Sequence, residues 1–185
     1  MEIEYEHTVA AWTVGDLRQA LRPAPADMPL FAVTAQTAGG DVEGETQVVT
    51  ETRLSESGWK AEADKKRFTL LLDSASGTYN RRVPGPYGRA TTGEPFIHEA
   101  EPLTVAAVLA AMEGLPDDMP VVVWPAEDPG SNDGDDQVDF DGAIGLDWSP
   151  PTRGEREGEW VTGNHFDLQL EYPSGKYLRW IDRED

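Results

Sequence analysis

The sequence predicts an α+β fold made of two tandem repeats. Each is one helix followed by a roughly four-stranded antiparallel sheet, and the two pack as a pseudo-symmetric pair. Three observations lead there. Residues 12–33, WTVGDLRQALRPAPADMPLFAV, align without a gap on residues 103–124, LTVAAVLAAMEGLPDDMPVVVW, at an offset of 91. FTLLLDSASGTYNR from Phe68 aligns on FDLQLEYPSGKYLR from Phe166 at an offset of 98. Within each copy the apolar periodicity changes from helical spacing to strand spacing. The expected organisation is a first repeat with an N-terminal arm at 1–82, a Pro/Gly-rich linker at 83–102 and a second repeat at 103–185.

The elements follow in order. MEIEYEHTV alternates acidic with apolar, placing Ile3, Tyr5, His7 and Val9 on one side of an edge strand or extended arm. Val14, Leu17, Ala20 and Leu21 then form an apolar helical face. Thr13 is the N-cap and Asp16 its box partner, Asp replacing the usual Glu. Pro23 and Pro25 stop this helix. In the second copy Thr104 caps, and Val105, Val108, Ala111 and Met112 form the face. Gly114 is the C-cap candidate.

A turn through Asp27-Met28-Pro29 or Asp118-Met119-Pro120 leads to a strand at 30–34 or 121–124. Val121–Trp124 is apolar at every position, as in a strand buried on both faces. A second strand is expected at 46–54, its counterpart beginning at Gln137-Val138. A third runs 68–73, with Phe68, Leu70 and Leu72 on one face, matched by Phe166, Leu168 and Leu170. Ser76-Gly77 and Ser174-Gly175 are expected to turn the chain into a return strand opened by Tyr79 or Tyr177. Pro84, Gly85, Pro86 and Gly88 mark the linker, the alternative being an ordered loop wrapped over the joint and anchored by Tyr87 and Phe96.

The second copy resembles an uncharacterised family of actinobacterial and phage-related proteins. The shared signature is a Thr-Val helix followed by a Leu-Pro-Asp-Asp-x-Pro turn into a Val-rich strand. The first copy departs from it, with Ala24 and Ala26 at the positions of Leu115 and Asp117. The resemblance implies a fold unit and no catalytic residue.

Composition narrows the function classes. The chain has no Cys, so disulfides and thiolate metal sites are excluded. No apolar run reaches the ~20 residues needed to span a bilayer, and no signal-peptide pattern opens the chain. The expectation is a cytoplasmic protein without a membrane partner. Net charge is −20 and lopsided. Residues 1–92 carry 13 acids and 10 bases, net −3, whereas residues 93–185 carry 22 acids and 5 bases, net −17. That field repels phosphates, so direct nucleic-acid binding is not expected, and it attracts basic proteins. The nearest basic patch, Lys65-Lys66-Arg67 with Arg81-Arg82, is short.

Glu127–Asp141 holds seven acids in 15 residues. As a Ca²⁺ loop it fails on spacing. With Gly134 as the turn glycine, the first ligand position is Pro129 and the last is Phe140. The remaining readings are a solvated loop or a protein-facing acidic surface formed by Asp133, Asp135, Asp136, Asp139 and Asp141. Trp148 and Trp160 flank a Pro/Gly/charge segment and are read either as core or as interface anchors. Trp12 is read as a hydrophobic staple and Trp124 as core.

His7, His98 and His165 show no metal or catalytic spacing. No nucleophile elbow, phosphate loop or dinucleotide fingerprint occurs, and no cofactor is expected. The reading is a non-enzymatic acidic module that binds a basic protein, as an inhibitor or DNA mimic in its sharpest form. The alternative is a small ligand-binding protein or enzyme with its site between the repeats. Oligomeric state is not legible.

Overall fold

The computed structural model describes residues 2–34, 46–56, 66–84, 90–126, 129, 144–147, 165–171 and 174–180. The fold is α+β with two short helices and ten strands among these residues. In chain order they are β1 (Glu2–His7), α1 (Val14–Leu21), β2 (Leu30–Thr34), β3 (Thr46–Glu56), β4 (Lys66–Ser74), β5 (Gly77–Pro84), β6 (Ala90–His98), α2 (Val105–Ala111), β7 (Val121–Trp124), β8 (Ile144–Asp147), β9 (Phe166–Leu170) and β10 (Gly175–Trp180).

Both helices begin where side-chain chemistry can satisfy their first backbone donors. Thr13 accepts from the Asp16 N–H, and the Asp16 carboxylate accepts from the Thr13 N–H at 2.9 Å. This closes the expected capping box. Thr104 accepts from the Ala107 N–H at 3.2 Å. Gly114 follows α2 at φ +77°, left-handed backbone that an L side chain adopts only with strain. Each helix is too short to be stable alone. Its apolar face, Val14, Leu17 and Leu21 or Val105 and Val108, is fully buried in one shared core with Leu30, Leu70, Met112, Val121 and Leu168, whereas Ala111, expected on the second face, is exposed.

The sheets differ from the expected pair of four-stranded units. Strands of both repeats enter one six-stranded mixed sheet, ordered β7-β4-β3-β2-β9-β8. Within a repeat the pairing is antiparallel: β2 with β3, β3 with β4, β8 with β9. Between repeats, pairing inside this sheet is parallel: β4 with β7 and β2 with β9. Val121, Val122 and Val123 are all buried, as their unbroken apolar run requires.

The expected Ser-Gly hairpins are corrected. β5 does not return along β4, and β10 does not return along β9. The chain bends at Ala75-Ser76 and leaves the sheet. β5 then pairs with β6, and β10 with β1, as two separate antiparallel ribbons. The cause is competition for edges, since β4 already lies between β3 and β7, and β9 between β8 and β2. Neither has a free side for a return strand.

The expected linker is also corrected. Residues 83–102 contain β6, which pairs from Ala90 to His98 with Pro84 to Gly77. Pro95 and Gly93 punctuate this strand without ending it, because a two-stranded ribbon leaves outer positions that need no ladder bond. The described strand in the place of the second repeat's second strand is Ile144–Asp147. Gln137 and Val138 lie outside the described residues.

The joint between repeats is tied by reciprocal backbone hydrogen bonds. Val14 and Gly15 donate to the carbonyls of Met119 and Asp117, while Val105 and Ala106 donate to those of Met28 and Ala26, all within 2.9 Å. Leu30 N–H bonds Leu103 O, and Val121 N–H bonds Trp12 O. Each bond recurs at the 91-residue offset. The orphan donors at each helix start are thus satisfied by the turn of the other repeat.

Candidate functional site

The residues expected to contact a partner, Asp133, Asp135, Asp136, Asp139, Asp141, Trp148 and Trp160, lie outside the described residues. What the fold does assemble is a pair of polar clusters that sequence spacing had not connected. They form where each ribbon leaves the sheet.

In the first, Asp73 is the next-to-last residue of β4 and His98 the last of β6. His98 Nε2 lies 3.3 Å from Asp73 Oδ2, and only about a tenth of either side chain is exposed. Asp73 Oδ1 accepts from the Ser74 N–H at 2.8 Å, which fixes the carboxylate. The Tyr79 ring stands edge-on to His98 with centroids 5.9 Å apart, and the tilted Phe96 ring lies 6.3 Å from it. Arg81 places its guanidinium 5.4 Å from the Phe96 ring centre. Tyr79 Oη donates to Ala75 O at 2.6 Å, and Ser76 Oγ both accepts from Ala100 N–H and donates to Ala100 O.

The second repeats the plan. His7 ends β1 and sits 3.8 Å from Glu171, just past β9. Tyr177 is edge-on to His7 at 6.2 Å, with Tyr5 beyond it. Ser174 Oγ accepts from Val9 N–H and donates to Val9 O. His7 and His98 are 91 apart; Glu171 and Asp73, Tyr177 and Tyr79, and Ser174 and Ser76 are each 98 apart. The second cluster is the more open, its Glu171 a third exposed.

Glycine opens each ribbon for a packing reason. Gly77 pairs with His98, Gly175 with His7, and the Tyr two residues on folds its ring back over each glycine. Chemically, the hydroxyls here are ties. Each serine is committed to both backbone groups of one residue on the opposing chain, and Tyr79 to a carbonyl. The imidazole–carboxylate pairs stand beside these ties, where each ribbon leaves the sheet.

His165 pairs with Asp167 at 3.0 Å and stacks on Phe31 at 4.3 Å. No group of three or more His, Asp or Glu that could hold a metal occurs among the described residues, and no described helix is long and apolar enough to cross a membrane. Trp12 packs, partly buried, against the core, and Trp124 is partly buried at the end of β7.

Between the helices lies an open cleft of about 570 Å³ lined by Arg18, Arg22, Leu109, Glu113 and Leu115. Arg18 closes one side of it. Its guanidinium pairs with Asp117 and donates to the carbonyls of Met112 at 2.9 Å and Leu115 at 3.2 Å, capping the C-terminal end of α2.

One signal in the sequence points toward the clusters. The duplication extends back from Trp12 to His7, because His7-x6-Val14 is matched by His98-x6-Val105. Both histidines therefore belong to the repeated unit, and neither is linker.

Strand, helix and crossed ribbon, present twice, define a duplicated α+β protein built on a shared sheet. The chain belongs to a family of unknown function, DUF6225, whose model matches it twice, over residues 1–83 and 90–181. No curated protein and no solved structure matches it. The second match begins at β6.

Proposed function

We propose that this protein is a non-enzymatic interaction module whose acidic second repeat engages a basic protein, with an inhibitor or DNA mimic as its sharpest form. The observation that carries the reading is the charge difference between two repeats of one scaffold: net −3 over residues 1–92 against −17 over residues 93–185. A packing requirement would act on both copies alike. Among the described residues of the second repeat, Glu94, Glu99, Glu101, Glu113, Asp117 and Asp118 are exposed, where carboxylates attract Lys and Arg at long range. In the same proposal the two repeats are a pseudo-symmetric pair serving as a rigid base, which the reciprocal hydrogen bonds support. The setting is the cytoplasm, and nucleic acid is not bound directly.

The test is affinity capture at about 0.05 and 0.5 M NaCl, with Asp133, Asp135, Asp136, Asp139 and Asp141 changed to Asn in a control protein. The range spans a several-fold change in screening length. The proposal expects a partner of basic isoelectric point that is lost at high salt and lost by the control. Absence of any salt-sensitive partner, or full retention by the control, overturns it.

One observation favours a second reading, a ligand site between the repeats: the cleft beside Arg18 and Arg22 draws its lining from both. Arg22→Glu would abolish binding of a small carboxylate ligand there and leave capture of a basic protein unchanged.

A further inference from the structure

Four of the seven strand pairings among the described residues join one family unit to the other: β1–β10, β5–β6, β2–β9 and β4–β7. Both His–carboxylate clusters are composite in the same sense. His7 comes from the first unit, with Glu171 and Tyr177 from the second. His98 comes from the second, with Asp73 and Tyr79 from the first. The N-terminal donors of each helix are met by the other unit's turn. A single unit standing alone would expose all of these groups, and the surface that covers them is a second unit.

The two halves of this surface are no longer identical. Arg18 of the first unit caps α2 and pairs with Asp117, both in the second. The residues at the matching positions are Leu109 and Ala26. Gly15 lies where an added Cβ would come within 3.0 Å of Asp117 Cβ and Asp117 O. Its counterpart, Ala106, faces Ala26. In a pair of second units Leu109 would replace Arg18, leaving Asp117 and the α2 carbonyls without the guanidinium, and Ala106 would press on Asp117. In a pair of first units Arg18 would meet Ala26, which offers no carboxylate.

We propose that the chain is a covalently joined dimer whose two repeats have diverged, so that each takes the other as its partner and rejects a copy of itself. The interaction surface is the one formed by the ribbons, the helix N-termini and the Arg18–Asp117 contact. Arg18 is the residue that sets the choice, and the paired His–carboxylate clusters hold the assembled state.

The experiment is a site-specific protease sequence inserted between Gly85 and Arg89, inside the β5–β6 connection. The full-length protein is folded, cut, then unfolded in urea and refolded by dilution. Native mass spectrometry reads the species formed. The proposal expects the two pieces to stay together on cutting and to re-form almost wholly as one-to-one pairs of unlike pieces. Pieces that separate on cutting, folded or unfolded, overturn the joined-dimer statement, and like pairs at statistical abundance overturn the divergence.

Arg18→Ala in the cut protein is expected to weaken the unlike pair about tenfold, the order lost with hydrogen bonds to a charged group. It should also raise the share of like pairs; an unchanged distribution removes Arg18 from its role. Circular dichroism of the uncut variant separates this from failure to fold. Ser76→Ala, which removes one tie and no charge, is the milder second variant. It should speed separation of the pieces without altering their choice of partner, and altered choice would count against assigning selection to Arg18.

Discussion

At the scale of single residues, the helix starts carry the clearest physical signatures. Thr13→Ala removes a cap and is expected to cost about 1 kcal/mol, a fall in Tm of roughly 2–4 °C for a chain of this length, measured by thermal unfolding. The Asp16 carboxyl is held below its ordinary range, first by the Thr13 backbone N–H and then by the Thr13 hydroxyl. A depressed carboxyl stabilises the fold above its unfolded value and loses that contribution as pH falls through the folded value. The stability gap between wild type and Asp16→Asn in urea unfolding should therefore be full at pH 6 and should close below about pH 4. A gap that does not shrink at all as pH falls below the unfolded carboxyl's range would count against this origin. Gly15→Ala would ordinarily add about 1 kcal/mol to a helix. Here the backbone carbonyl and Cβ of Asp117 stand 3.0 Å from the new methyl, so the Tm should fall instead.

At the scale of elements, β4 bears the most. It lies between β3 and β7, and Leu70 is fully buried beneath both helices' shared core. Leu70→Ala should cost roughly 2–5 kcal/mol in denaturant unfolding. Strand positions were legible at β2, β3, β4, β7 and β9, where β-branched and aromatic residues recur at period two or in a short apolar run. Strand partners were not legible. The Ser-Gly bend reads as a hairpin turn, because the local chemistry of a hairpin turn and of a bend that leaves the sheet is the same. Only the occupied edges of β4 decide between them. Likewise Pro95 and Gly93 read as linker punctuation. The counter-signal, His98 at the repeat offset from His7, is a single residue and gains weight only once Asp73 is seen beside it.

At the scale of the whole molecule, a net charge of −20 on 185 residues makes self-repulsion a global term. Raising NaCl from about 0.05 to 0.5 M should raise the Tm, since screening shortens from beyond 10 Å to a few ångströms. The same salt should weaken capture of a basic partner. Opposite responses to one variable would separate the cost of the acids to the fold from their use in binding.

The sequence by itself determined that this protein is α+β and duplicated, where both helices start, which faces they bury and which copy holds the acids. Each of these follows from local chemistry or from counting along one chain. Tertiary structure alone decided that the repeats share one sheet, that each ribbon crosses to the other repeat, and that His7 and His98 meet carboxylates from the opposite copy. Pairing partners are chosen by which edges remain open once the core has closed, and an edge is a property of the assembled sheet.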